Sequence, residues 1–142
     1  MINRYKAIDY ALLAIFLISF FSSIALSLKG SSTFCVSPTS CDLVQSSEYA
    51  YTFGIKNSYY GVVIFAIFSL IMAWHIFEPH AKKHMAVKVG AVMGSLIAIY
   101  FIFLQIFVLK AFCTYCMVID IGLVLALILV FVHWKGKGWK GS

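Results

Sequence analysis

Apolar residues run almost unbroken through four stretches, about residues 10–28, 59–77, 89–109 and 111–134, with polar and basic residues gathered between them. Each run is close to the ~20 residues that a helix needs to cross ~30 Å of hydrocarbon. In lipid, only a helix or a closed barrel satisfies every backbone N–H and C=O, and continuous runs of this length read as helices. The pattern predicts an all-α membrane protein: a four-transmembrane-helix bundle in one domain over 1–142, with a long extracytoplasmic loop over 29–58.

Composition strengthens this reading, since 63% of the residues are hydrophobic and 11% charged, well away from the balance of soluble domains. Arg4 and Lys6 ahead of the first run resemble the start of a secretory leader. That run exceeds the ~7–15 residues of a leader's apolar region, and no A-x-A-like site follows it, so it counts as a span. The spans use most of the residues and leave no room for a separate soluble domain.

A net charge of +6 raises the question of nucleic acid, and the distribution of the charge answers it. Arg4 and Lys6 precede the first run, Lys82, Lys83 and Lys88 lie between the second and third, and Lys135, Lys137 and Lys140 follow the fourth. Only Lys29, Lys56 and Lys110 fall on the other side, an eight-to-three split of the 11 basic residues. Basic residues concentrate on the cytoplasmic side of membrane proteins, so both termini and the 2–3 connection are expected there. Nucleic acid is not an expected partner.

All four cysteines then fall outside the cytoplasm. Cys35 and Cys41 belong to the outer loop, and Cys113 and Cys116 to the outer start of the fourth run. An even set of thiols in an oxidising compartment points to disulfide chemistry. Cys113 and Cys116, three residues apart, share one face of a helical first turn. There the unpaired N–H groups and the positive dipole end favour the reactive thiolate. The same C-x-x-C spacing also serves zinc sites and inert structural bridges.

A loop as long as 29–58 usually carries function. Its first part holds the turn formers Ser37, Pro38 and Ser40. From about Cys41 to Tyr51 it is compatible with a short helix, Asp42 and Gln45 resembling a capping box and Gly54 a helix stop. Leu43, Val44 and Ala50 would seat that helix on the membrane surface as a lid over the bundle. Asp120, one turn beyond Cys116 inside an apolar run, is costly in lipid and so a candidate for proton handling, ligand contact or an interhelical hydrogen bond; Gln105 is a weaker example. His75, His80 and His84 read as polar residues of the cytoplasmic loop near lipid headgroups.

With these residues in view the chain resembles the vitamin K epoxide reductase family, in its prokaryotic form without a fused thioredoxin domain. The likeness rests on Cys35 and Cys41, the following Ser46 and Ser47, the stretch FGIKNSYYG leading into the second span, and FCTYC opening the fourth. It implies a bundle in a prokaryotic cell membrane that encloses a quinone (menaquinone, ubiquinone or a vitamin K) beside the C-x-x-C. By the same resemblance Cys116 is the thiol next to the quinone and Cys113 its partner, while Cys41 exchanges with Cys113 and Cys35 meets an extracytoplasmic thioredoxin-like protein. Asn57 matches the asparagine that hydrogen-bonds a quinone oxygen, Tyr60 an aromatic position of the pocket, and Ser47 a serine of the lid. Where the vertebrate enzyme has a tyrosine four residues after the second cysteine, this chain has Asp120. That departure points away from vertebrate-like epoxide chemistry and antagonist binding, and the commoner prokaryotic role that the resemblance implies is oxidation of protein thiols by a quinone, in support of disulfide bond formation.

The alternatives are a vitamin K quinone or epoxide reductase activity and, in a different class, a non-catalytic scaffold clamped by two disulfides. The bacterial disulfide-generating quinone reductases also use four spans and two cysteine pairs, but they carry the C-x-x-C in the first outer loop, the reverse of the order here. No metal is expected: an oxidising location disfavours a four-thiolate zinc site, and Met117 rather than His after the C-x-x-C excludes a c-type haem attachment.

Overall fold

The computed structural model of the chain describes residues 2–28, 43–44, 46–78 and 80–136. Its elements are α1 (Ile2–Ser27), a hairpin of β1 (Tyr51–Thr52) and β2 (Ile55–Lys56), α2 (Asn57–Phe77), α3 (Ala81–Phe103) and α4 (Thr114–Gly136). A π-helical turn, Leu104–Val108, continues α3. Among the described residues four helices are thus long and apolar enough to cross a membrane, over Lys6–Ser27, Asn57–Phe77, Met85–Val108 and Thr114–His133.

Helix α1 lies against both α2 and α4, and α3 against α4, whereas α2 and α3 meet along much less of their length. The shared core is made by Leu12 and Phe16 of α1, Phe65 and Met72 of α2, Val87 and Ala91 of α3, and Ala126 and Val130 of α4. Lipid is as apolar as leucine, so close approach of backbones and interhelical hydrogen bonds carry more of the association than they do in water. A side chain at Gly61 would bring its Cβ within 2.7 Å of the Ser23 hydroxyl, which shows how closely α1 and α2 approach. Ser95 Oγ donates to the Leu123 carbonyl at 2.9 Å, joining α3 to α4. Large apolar side chains such as Leu70, Leu96 and Ile128 remain on the outside, as a lipid-facing surface requires.

The helices overrun the apolar runs where polar residues continue a helical turn. Helix α1 starts at Ile2 instead of about residue 10, and α3 starts at Ala81, so Lys82, Lys83 and Lys88 belong to its first turns. Lys83 Nζ lies over the Trp74 ring, 4.3 Å from its centroid, and donates to the Glu78 carbonyl at 3.2 Å, which binds the ends of α2 and α3 together. His75 corrects the loop reading: α2 continues to Phe77, and the imidazole is buried within the bundle. At the same end, His133 Nε2 of α4 stands 3.8 Å from Asp9 Oδ1 of α1.

The lid also differs from the expected helix. Backbone at residues 43, 44 and 46 is helical, but Ser47 is extended, and a 3-10 turn over Glu48–Ala50 leads into the hairpin. Gly54 stops no helix. With φ of +80° beside Phe53 at +55°, it completes the two-residue hairpin turn, whose central residues both require positive φ. Phe53 in place of the usual Asn concealed this turn in the sequence. Cys35, Cys41, Asp42 and Gln45 lie outside the described residues.

Candidate functional site

Cys113 ends the connector that follows the π-helical turn and stands immediately before α4, so it is the N-cap rather than a first-turn residue. Its carbonyl accepts the first α-helical bond, from Met117 N–H at 2.9 Å, and its sulfur accepts the Cys116 N–H at 3.4 Å. A capping side chain takes this bond from the third helical residue, a role usually filled by Ser, Thr, Asn or Asp. The geometry also sets a donor against a sulfur that carries negative charge whenever it acts as a nucleophile. Cys113 is fully buried and Cys116 half-buried.

Above the pair, Val44 of the lid packs in one apolar cluster with Leu26, Ala111 and Cys113, and Cys116 is packed against that cluster. This buried valine, next to an exposed Leu43, is how the lid is seated.

Beside the pair lies a cavity of about 440 Å³, walled largely by apolar side chains of α1, α2, α3 and the lid. Cys116 and Asp120 of α4, Asn57 and Tyr60 of α2, and Ser47 of the lid all contribute to its wall, whereas the buried Cys113 does not. The five wall residues predicted from sequence are thereby brought together, Cys116 and Asp120 meeting a segment more than fifty residues earlier in the chain. The size falls in the range of ~300–1,000 Å³ usual for small-molecule sites, and a mainly apolar wall with a few polar groups is their common form.

Those polar groups are held by the lid itself. Asn57 Nδ2 donates to the Tyr49 carbonyl at 2.8 Å, and its Oδ1 accepts from Thr52 Oγ1 at 2.7 Å. Tyr60 Oη donates to the Thr52 carbonyl at 3.2 Å, and Ser47 Oγ to the Val44 carbonyl at 2.7 Å. Asn57 therefore secures the hairpin to the start of α2, and its second amide hydrogen is the one not used in these bonds.

Asp120 and Gln105 are both buried, at 5% and 2% exposure, and Gln105 Nε2 donates to Asp120 Oδ2 at 3.3 Å. Of the readings open for Asp120, the interhelical hydrogen bond is present and contact with the cavity is present as well. Gln105 Oε1 accepts the Cys113 N–H at 3.0 Å. Sequence reasoning marked Gln105 only as a polar residue in a span. The cost of an amide within an apolar run was the available sign that it faces the bundle interior.

Taken together these features define an integral membrane protein whose helices enclose an apolar cavity with one cysteine of a C-x-x-C in its wall. Residues 9–134 match the family model described as the Vitamin K epoxide reductase family. The chain belongs to that family, whose members are membrane oxidoreductases with quinone-related chemistry. No match is found among curated proteins.

Proposed function

We propose that the chain passes electrons from a reduced thioredoxin-like protein on the extracytoplasmic side, through Cys35 and Cys41, to Cys113 and Cys116, and on to a quinone in the cavity, in support of disulfide bond formation. The observation that carries this reading is Cys116 in the wall of an apolar cavity, with the sulfur of its fully buried partner Cys113 accepting the Cys116 N–H at 3.4 Å. Asn57, Tyr60, Ser47 and Asp120 are the proposed binding residues, and the residues 1–142 act as one redox domain.

In this scheme a thiolate of the partner protein attacks Cys35 of a Cys35–Cys41 disulfide and releases Cys41. The partner's second thiol resolves the mixed disulfide and leaves as part of its own disulfide, freeing Cys35. Cys41 thiolate attacks Cys113 of the Cys113–Cys116 disulfide and releases Cys116. Cys35 then displaces Cys113 from Cys41, so the loop disulfide is restored and the C-x-x-C is a dithiol. Two electrons and two protons pass from that dithiol to the quinone, giving a quinol and the Cys113–Cys116 disulfide. Two pairs are required because one reaches a soluble protein and the other a lipid-soluble oxidant. Reach supports the exchange: Val44 packs in the cluster that holds Cys113, and the three residues back to Cys41 span at most about 10 Å of extended chain.

The test is reduction of several quinones by the purified protein and its four single-cysteine variants, driven either by a reduced thioredoxin-like protein or by dithiothreitol. Cys35→Ala should lose the protein-driven reaction and keep the dithiothreitol-driven one, and Cys116→Ala should lose both. Quinone turnover retained by Cys116→Ala would refute the assignment.

A further inference from the structure

Gln105 is tied to its surroundings at three points. Its Oε1 accepts the Cys113 N–H at 3.0 Å, its Nε2 donates to Asp120 Oδ2 at 3.3 Å, and its main-chain carbonyl accepts Ala111 N–H at 3.2 Å. The π-helical turn makes the third bond available. Leu109 N–H bonds back five residues, to the Leu104 carbonyl at 2.8 Å, and so does not occupy the Gln105 carbonyl as it would in an α-helix. Such π turns are rare and often mark functional sites.

The direction of the side-chain amide is dictated by its neighbours. A peptide N–H can only donate, so the amide oxygen must face Cys113, and the NH2 group must then face Asp120. Asp120 Oδ2 is thereby held as an acceptor, and any proton on that carboxyl belongs on Oδ1. One buried glutamine thus joins the capping cysteine to the carboxyl group in the cavity wall.

We infer that Gln105 is a positioning residue of the C-x-x-C, fixing the Cys113 peptide and its capping sulfur through one side-chain bond and tying them to the Asp120 carboxyl in the cavity wall through the other. The inference deepens the redox reading above and rests on the C-x-x-C being the reactive pair. A purely structural glutamine would alter stability and leave the chemistry of the thiols in the folded protein unchanged.

The test exploits the direction of the amide. In Gln105→Glu two carboxyl groups face each other. Q105E/D120N exchanges acid and amide and restores both bonds, because the carboxylate introduced at position 105 accepts from the Cys113 N–H and from the amide introduced at position 120. The readout is the pH profile of methyl methanethiosulfonate modification of Cys113 and Cys116 in the full-length protein, resolved by peptide mass spectrometry. Unfolding midpoints are recorded alongside. Displacement of the profile by one pH unit changes a thiolate-limited rate about tenfold at a fixed pH below the midpoint. Gln105→Glu should show at least that change, and the double variant should return toward the wild-type profile. Gln105→Leu, which removes both side-chain bonds without adding charge, should also displace the profile if Gln105→Glu does not fold. A wild-type profile in Gln105→Leu or Gln105→Glu, or no return in the double variant, overturns the inference. No quinone is present, so the positioning role and the quinone relay fail separately.

Discussion

The Cys116 N–H donates to the sulfur of Cys113 at 3.4 Å, so one cysteine of the pair caps the helix that begins with the turn carrying the other. In the proposed relay, capping and redox chemistry therefore share an atom. Replacing a capping side chain by alanine costs about 0.5–2 kcal/mol. Cys113→Ala should lower stability by about 1 kcal/mol, toward the weaker end for a sulfur acceptor. Cys113→Ser keeps a capping oxygen and should stay close to wild type while losing quinone reduction equally. Unfolding midpoints in detergent, measured beside turnover, separate the two roles.

Asn57 is expected to act on the quinone through the lid as much as directly. Its two hydrogen bonds to Tyr49 and Thr52 contribute about 0.5–1.5 kcal/mol each. Losing both in Asn57→Ala should raise the quinone KM about tenfold, the effect of ~1.4 kcal/mol. Asn57→Asp should do no better, because it sets a carboxylate against the Tyr49 carbonyl. Thiol alkylation should show the Cys113–Cys116 pair still able to oxidise in both variants.

Gly61 marks a close approach of α1 and α2, its absent Cβ lying 2.7 Å from Ser23 Oγ and 3.3 Å from Ser23 Cβ. Overpacking at such a contact typically costs about 1–3 kcal/mol, and Gly61→Ala should fall in that range. Ser23→Gly in the same chain should recover a substantial part of the loss. Additive effects in the double-mutant cycle would show that the two positions do not touch.

Lys110 carries φ of +48° in the turn between α3 and α4, a conformation that costs a side-chain-bearing residue about 1–2 kcal/mol. Lys110→Gly should be neutral or stabilising by up to about 1 kcal/mol, and Lys110→Val destabilising by about 1–2 kcal/mol. Thermal unfolding of the three proteins decides the matter. A clear loss on Lys110→Gly would mean that the lysine side chain, not the backbone, holds this turn.

The two halves of the site differed in how far the sequence exposed them. The C-x-x-C was plain from its spacing at the start of an apolar run, and Asp120 from the expense of an acid within such a run. Their tie through Gln105 was not, because it depends on a π-helical turn and a connector geometry that no local pattern announces. The hairpin over Tyr51–Lys56 was hidden for a related reason: Phe53 takes a positive φ that its residue type disfavours, in a turn closed by the pairing of Thr52 with Ile55.

By itself the sequence determined the number of spans and the apolar character of the bundle, because burial in hydrocarbon acts on each segment separately and leaves its mark in uninterrupted runs. Only the tertiary structure decided that Cys116, Asp120, Asn57, Tyr60 and Ser47 share one cavity and that Cys113 is buried in one cluster with Val44. Those relations join residues far apart in the chain. They arise where small residues let helices approach and where buried polar groups must find partners across the bundle, and neither condition can be read from one segment alone.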